Sequence, residues 1–282
     1  MTGFDTCIAG LGYTGRVLAD ALVADGRSVI TMARGDAHGD VPHWRADVDD
    51  ASSLIAPPTI DSLAYLIPPG VQDNQEVRFA RLIDALPQFP KRIVLASTTG
   101  VYGNHSGGLV DETTPTAPES QRAKGRVMLE ASARALCDAN GAELCILRIA
   151  GIYGPGRLPI EAIKRLDPII DPVEANPGNR IHVEDLAAIF AAAFAHQSPP
   201  PIVNVCDGDY TTSPAFTLMV ADALELPAPP VISLAEAAQH YSPMRMSFIH
   251  ESRTIVNDVL LNELGVTLRY PTAAAGMQAS LP

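Results

Sequence analysis

One stretch near the N-terminus decides most of what this chain can fold into. Thr6-Cys7-Ile8-Ala9 reads as a short buried strand, and Gly10-Leu11-Gly12-Tyr13-Thr14-Gly15 follows at once. Arg16 to Leu22 then carries Val17, Leu18, Ala21 and Leu22 at helical spacing. Glycines at G-x-G-x-x-G spacing are common in turns; between a strand and a helix they are the fingerprint of a dinucleotide site. Gly10 permits the tight turn, Gly12 lets the backbone approach a pyrophosphate, and Gly15 lets the helix pack close on the strand. The amides and dipole at the helix start favour the anion. Gly10, Gly12, Tyr13, Thr14 and Gly15 are the first candidate cofactor residues.

A second strand is due at Ser28-Val29-Ile30-Thr31-Met32. In NAD-users an acidic residue near this strand end binds the ribose 2′-hydroxyl. Met32 and Ala33 stand there instead, followed by Arg34, whose guanidinium suits a 2′-phosphate, with Asp36 close by. The exchange favours NADP, with NAD as the alternative. Pro42 to Val48 reads as a third strand ending in Asp47. That carboxylate either accepts from an adenine amino group or belongs to the cap of the segment at 50–54. Asp61 to Ile67 is the fourth strand. Pro68-Pro69-Gly70 then turns the chain off the sheet, which places Pro68 at a carboxyl end, where open α/β folds bind ligands. Gln75 to Leu86 has helical spacing. Arg92 to Ala96 is a continuous apolar run, as in a parallel sheet covered on both faces.

At 282 residues and 47% hydrophobic, the chain suffices for one large α/β domain or a domain with a smaller lobe. Its net charge of −12 argues against nucleic-acid or anionic-membrane partners. A phosphate-bearing ligand must therefore meet local positive potential. Cys7, Cys137, Cys145 and Cys206 form no C-x-x-C pair, and no histidine and carboxylate cluster has ligand spacing, so no metal is expected. Cysteines without a disulfide framework suit a reducing compartment. No secretory signal or apolar run of membrane-spanning length is evident, and a cytoplasmic protein is the expectation.

Ser97-Thr98-Thr99-Gly100-Val101-Tyr102-Gly103 resembles the S-S-x-x-V-Y-G segment of extended short-chain dehydrogenase/reductases, the family of sugar-nucleotide epimerases and dehydratases. Val110 to Pro115 is similar to its acidic-proline loop, and Arg148 to Gly156 to its sixth-strand signature. Arg180 to Ala187 is similar to its R-x-I-H-V-x-D-L-A element, and Val203 to Asp207 to the strand that follows. Asn257 to Pro271 resembles its small lobe more loosely. The resemblance implies an α/β fold: a doubly wound, mostly parallel Rossmann sheet with a small C-terminal substrate lobe. Residues 1–154, continued by 181–208, would form the dinucleotide-binding domain, and 155–180 with 209–282 the substrate lobe. A small-molecule substrate is implied, a carbonyl, hydroxyl or nucleotide-sugar compound, with Ser97 and Tyr153 among the cofactor contacts. The helix at 120–138 is one such proteins often use to form a homodimer.

Members of that family usually carry a hydroxyl residue, a tyrosine and a lysine. The hydroxyl falls on Thr98, but no tyrosine lies between Tyr102 and Tyr153. Anchored on Glu130, the Lys position is Arg126 and the Tyr position Arg122. Anchored on Lys124, the Tyr position is Ser120. An arginine is no base at neutral pH, so the usual tyrosine-driven hydride chemistry is in doubt. Arg122 and Arg126 are then ligands for a cofactor phosphate or substrate carboxylate, or solvated helix charges. Thr98, Tyr102 and Arg126 form the candidate catalytic set. Two functions stay open: an NAD(P)-dependent oxidoreductase or epimerase-like enzyme, or a dinucleotide sensor without turnover. His182 reads as a packing residue, and His105 as a loop acid/base or a solvated side chain. Arg157, Lys164, Arg165 and Arg180 put positive charge on the proline-rich excursion at 157–180, where sugar-nucleotide enzymes hold a diphosphate. Ser242 to Arg253, with Met244, Arg245, Met246 and Phe248, reads as a mobile segment that closes over a ligand.

Overall fold

The N-terminal apolar run is the centre of a seven-stranded parallel sheet in the computed structural model of the chain. Residues 3–73 and 75–282 are described, with the side chains of Pro243, Met244, Ser247 and Phe248 outside the description. The strands are β1 (Phe4–Ala9), β2 (Val29–Ala33), β3 (His43–Arg45), β4 (Ile60–Tyr65), β5 (Arg92–Thr98), β6 (Glu143–Ile149) and β7 (Ile202–Val205). Their order across the sheet is β7-β6-β5-β4-β1-β2-β3. The chain runs outward from β1 to β3, then returns to lay β4 on the other side of β1. Between β1 and β4 the order reverses, and the carboxyl ends of such a pair open a crevice.

Strand alternation divides the core in two. Ile8, Ala64, Val94 and Leu147 pack under Leu18 and Leu22 of helix α1 (Tyr13–Ala24) and Leu186 and Phe190 of α5 (Val183–Ala195). Cys7, Leu63, Leu95 and Ile146 pack against Phe79 and Leu82 of α2 (Arg78–Ala85) and Leu129 and Cys137 of α3 (Gln121–Asn140). Each fully buried aliphatic side chain here contributes about 1.5–3 kcal/mol. The doubly wound sheet expected from the sequence is thus the observed architecture. All four cysteines are buried and free of disulfides. Among the described residues no helix is long and apolar enough to cross a membrane, and no group of three or more His, Cys, Asp or Glu could hold a metal ion.

One helix begins later than its apolar spacing suggests. Gln75 and Glu76 form a short hairpin with Val71 and Gln72. The Glu76 carboxylate then accepts from the amides of Arg78 and Phe79, so it closes the start of α2. After β6 the chain leaves the sheet. Gly151–Tyr153 pairs in parallel with Arg180–His182. Between these strands lies α4 (Ile160–Lys164), whose Ile163 packs with Leu158 on Phe216 and Val220 of α6 (Ser213–Ala223). Helix α7 (Leu234–His240) and helix α8 (Pro243–His250) follow. The stretch expected to close over a ligand therefore contains α8, and the side chains of Met244 and Phe248 lie outside the described residues. Helix α9 (Ala273–Ala279) completes the fold, its Met277 packing in the same cluster as Phe216.

Candidate functional site

The glycine loop between β1 and α1 is shaped by what a side chain would collide with. Gly10 has φ +110°, and a Cβ there would sit 3.1 Å from the carbonyl carbon of Leu66, on β4's exit. A Cβ on Gly15 would lie 2.2 Å from the Gly10 carbonyl oxygen. Gly12 differs: a Cβ there meets nothing within 4 Å, because it faces open space. Gly12 is also the N-cap of α1, and no side chain caps that helix. Its first amides are thus left for another acceptor. The loop lines a cleft of about 690 Å³ that runs along the carboxyl ends of the strands from Arg34 and Asp47, past Pro68, to Thr98 and Arg126.

At the outer end of this cleft the Arg34 side chain is 76% exposed, and its guanidinium stands 3.9 Å from the Asp47 carboxylate. Asp47 also accepts from the Asp49 amide, while Asp50, not Asp47, caps the short turn at Ala51–Ser53. Sequence reasoning missed a neighbouring pair. Arg78 grips Asp49 through two hydrogen bonds of 2.7 and 2.6 Å and donates to the Pro68 carbonyl. That guanidinium holds the Asp49 carboxyl below the usual carboxylate range. No motif spacing links Asp49 to Arg78; only the fold brings them together.

A second cleft, about 810 Å³, shares Pro68, Thr98, Arg126, Ile149 and Ala150 with the first. The Thr98 hydroxyl oxygen accepts from the Gly100 amide at the start of a short turn, Thr99–Tyr102, which leaves its own hydrogen for another acceptor. Arg126 donates to the Ala96 carbonyl at 2.7 Å, and burial pulls its pKa down against the opposing pull of Tyr65, Glu130 and Glu76. Arg122, one turn before it on α3, lines the second cleft. Lys124 is exposed and lines neither cleft, while Ser120 reaches the second one as the cap of α3. Glu251 and Arg253 arrive from the C-terminal part of the chain, paired at 3.1 Å. Arg253 also donates to the Gly103 carbonyl at 2.6 Å, tying this pair to the turn that begins at Thr98. The sequence pointed to their segment, Ser242 to Arg253, as one that closes over a ligand, but not to this pair.

Several expected site residues are turned elsewhere. Tyr102 is fully buried, donates its hydroxyl to Asn204 at 2.7 Å and lies under the Arg148 guanidinium. Burial raises its pKa, and it lines neither cleft. Tyr153, expected among the cofactor contacts, is also placed away from both clefts. Its ring is edge-on to His182 and Phe216, it is buried in the cluster beside α9, and it lines neither cleft. Ser97 lines the first cleft, but its hydroxyl donates to the buried Glu130, which also pairs with Arg148 at 2.8 Å. Of the four basic residues on the excursion only Arg157 lines a cleft, stacked 4.0 Å over the Tyr13 ring. Lys164 pairs with Glu161 and Arg165 with Asp167 at the surface. Arg180 is buried, donating to the Thr211 carbonyl and lying over Phe216. His182 packs in the interior with Nδ1 accepting from the Glu184 amide. The His105 ring is 3.1 Å from the Tyr102 carbonyl and lines neither cleft.

Residues 7–206 match the model of the NAD dependent epimerase/dehydratase family. Protein YeeZ of Escherichia coli K12 is 28% identical over 287 residues, spanning 94% of this chain and 95% of its own. A solved structure of a functionally unknown conserved protein from Silicibacter pomeroyi is 31% identical, with TM-score 0.79 over 98% of this chain and 97% of that one. The human epimerase family protein SDR39U1, solved with NADPH, shares the fold at 19% identity, with TM-score 0.76 and 98% of each chain covered.

Proposed function

The chain belongs to the NAD dependent epimerase/dehydratase family, and from that premise we propose that it binds a nicotinamide dinucleotide in the glycine-loop cleft. The reaction is oxidoreductase- or epimerase-like, on a small molecule bearing a carbonyl or hydroxyl. The observation that carries this reading is the contrast within the loop. Gly10 and Gly15 are filled in by backbone, whereas Gly12 opens on the cleft beside the uncapped start of α1. That cradle fits a pyrophosphate. Arg34 would meet a 2′-phosphate, Asp47 the adenine side, and Arg126 the far end beside Thr98. The phosphorylated cofactor, NADP, is favoured by Arg34.

Bound there, the nicotinamide would supply a hydride donor or acceptor. Thr98 orients the substrate, because its hydrogen is free to donate to a carbonyl or hydroxyl oxygen. Arg122, at the family's tyrosine position, cannot take up a proton. Glu251 is the carboxylate that lines the same cleft among the described residues, and Arg253 positions it. It is the group left to accept a proton there. The lost tyrosine also favours a second reading, a dinucleotide sensor without turnover. The two separate on one experiment: a panel of carbonyl compounds offered with NADPH, following loss of nicotinamide absorbance. The enzyme reading expects turnover of at least one compound, and Thr98→Val to lower kcat about tenfold or more at unchanged NADPH affinity. Tight NADPH binding with no turnover across the panel would leave the sensor.

A further inference from the structure

The Arg34 side chain has few contacts of its own to hold it at the outer end of the cleft. It is 76% exposed and meets Asp47 only across 3.9 Å. A glycine follows it, and a Cβ on Gly35 would meet nothing within 4 Å, so packing does not fix this turn either. A long exposed side chain gives up conformational freedom when it binds a ligand, and that loss weakens affinity. The backbone of the turn, in contrast, is fastened from behind by β3. His43 and Arg45 are two apart on this strand and so share a face. Arg45 Nε donates to the Arg34 carbonyl at 3.2 Å, and His43 Nε2 donates to the Gly35 carbonyl at 3.0 Å. A carbonyl only accepts, so Nε2 carries the hydrogen, and Nδ1 lies 2.9 Å from the Thr31 hydroxyl. Thr31 is fully buried on β2, which makes it a fixed anchor. A line of hydrogen bonds thus runs from the core, through the His43 ring, to the residue beside Arg34. Farther along the same loop His38 donates to Asp20 of α1 at 2.9 Å. Neither His43 nor Arg45 lines the glycine-loop cleft.

We propose that His43 and Arg45 are positioning residues that set the choice of dinucleotide from outside the cleft. By holding the Arg34 and Gly35 carbonyls they fix the backbone from which the Arg34 guanidinium reaches a ribose 2′-phosphate. The inference rests on the cofactor reading above and adds what makes Arg34 selective. A loosened turn costs the phosphorylated cofactor alone, because NADH carries no phosphate at that position. Both pins are hydrogen bonds to backbone, so their effect is one of geometry: they order the group that meets the ligand without meeting it themselves.

The test is calorimetric titration of the full-length protein with NADPH and, separately, with NADH. His43→Asn keeps an amide near Nδ1 but does not reach Gly35. His43→Gln extends as far as Nε2 and can still donate there. Arg45→Lys keeps the charge and loses the nitrogen that bonds the Arg34 carbonyl. His43→Asn should weaken NADPH about fivefold, the worth of one lost hydrogen bond, and leave NADH within about twofold. His43→Gln should return NADPH to within about twofold of the wild type. Arg45→Lys should move NADPH in the same direction as His43→Asn. Arg45 is exposed, so this variant decides the matter even if His43→Asn does not fold. A merely structural role would weaken both cofactors together. That result, or a preference for NADPH that neither His43→Asn nor Arg45→Lys alters, would overturn the proposal while leaving the cofactor reading in place. A wild-type protein with no preference for NADPH would overturn the reading of Arg34 itself, and this inference with it.

Discussion

At the scale of single residues, the three glycines of the N-terminal loop have different jobs that a sequence pattern lists as one. Gly12 has φ −86°, which any residue adopts, and open space beyond its Cα. Gly12→Val should therefore leave stability within about 1 kcal/mol, the range of an altered helix cap, while abolishing NADPH binding. Gly15→Ala should do the reverse. Its Cβ would fall 2.2 Å from the Gly10 carbonyl oxygen, and overpacking of this kind costs about 1–3 kcal/mol. Urea denaturation and nicotinamide fluorescence on both variants separate the two roles. A Gly12→Val protein that binds NADPH normally would remove the glycine loop from the cofactor site.

At the scale of elements, the joint after β7 should make stability depend on pH. Asp207 accepts from the Asp209 amide and donates its own amide to the Arg180 carbonyl, while Asp209 accepts from the first amide of α9. Burial pushes the Asp207 carboxyl up to about 7, against the partial help of Arg180 and with Asp209 adding to the rise. A carboxyl whose folded value lies above its unfolded one holds its proton more tightly in the native state. Its contribution is present below the ordinary carboxylate range and is lost as pH rises through about 7. The melting temperature should fall over that interval, and Asp207→Asn should flatten the fall, by on the order of a few kcal/mol of stability. An unchanged pH profile in Asp207→Asn would show that Asp207 is not the group responsible. Elements were also where sequence reading met its limits. The sheet was legible because the buried parallel strands are unbroken apolar runs, such as Ile93 to Ala96. The sequence does not fix where Tyr102 and Tyr153 point, because a residue just past a strand end can turn into the core as easily as into the cleft. Only packing against Asn204, or against Phe216, decides between the two.

At the scale of the whole molecule, the two clefts form one groove because distant parts of the chain converge on it. The N-terminal loop, the carboxyl end of β5, the start of α3 and the segment at 251–253 each supply part of the lining. The first three carry motifs and were found in the sequence. The last carries none and was expected only as the end of a ligand-closing segment at 242–253; it reaches the groove through contacts between residues some 150 positions apart, such as Ser252 to Asn104 and Arg253 to Gly103. The central claim is that the groove holds a phosphorylated nicotinamide dinucleotide. Its most direct test is a pair of titrations of the purified protein, with NADPH and with NADH, following nicotinamide fluorescence. Tight NADPH binding, weaker NADH binding and loss of the difference in Arg34→Ala are the predicted results. Binding of neither cofactor would contradict the account at its root.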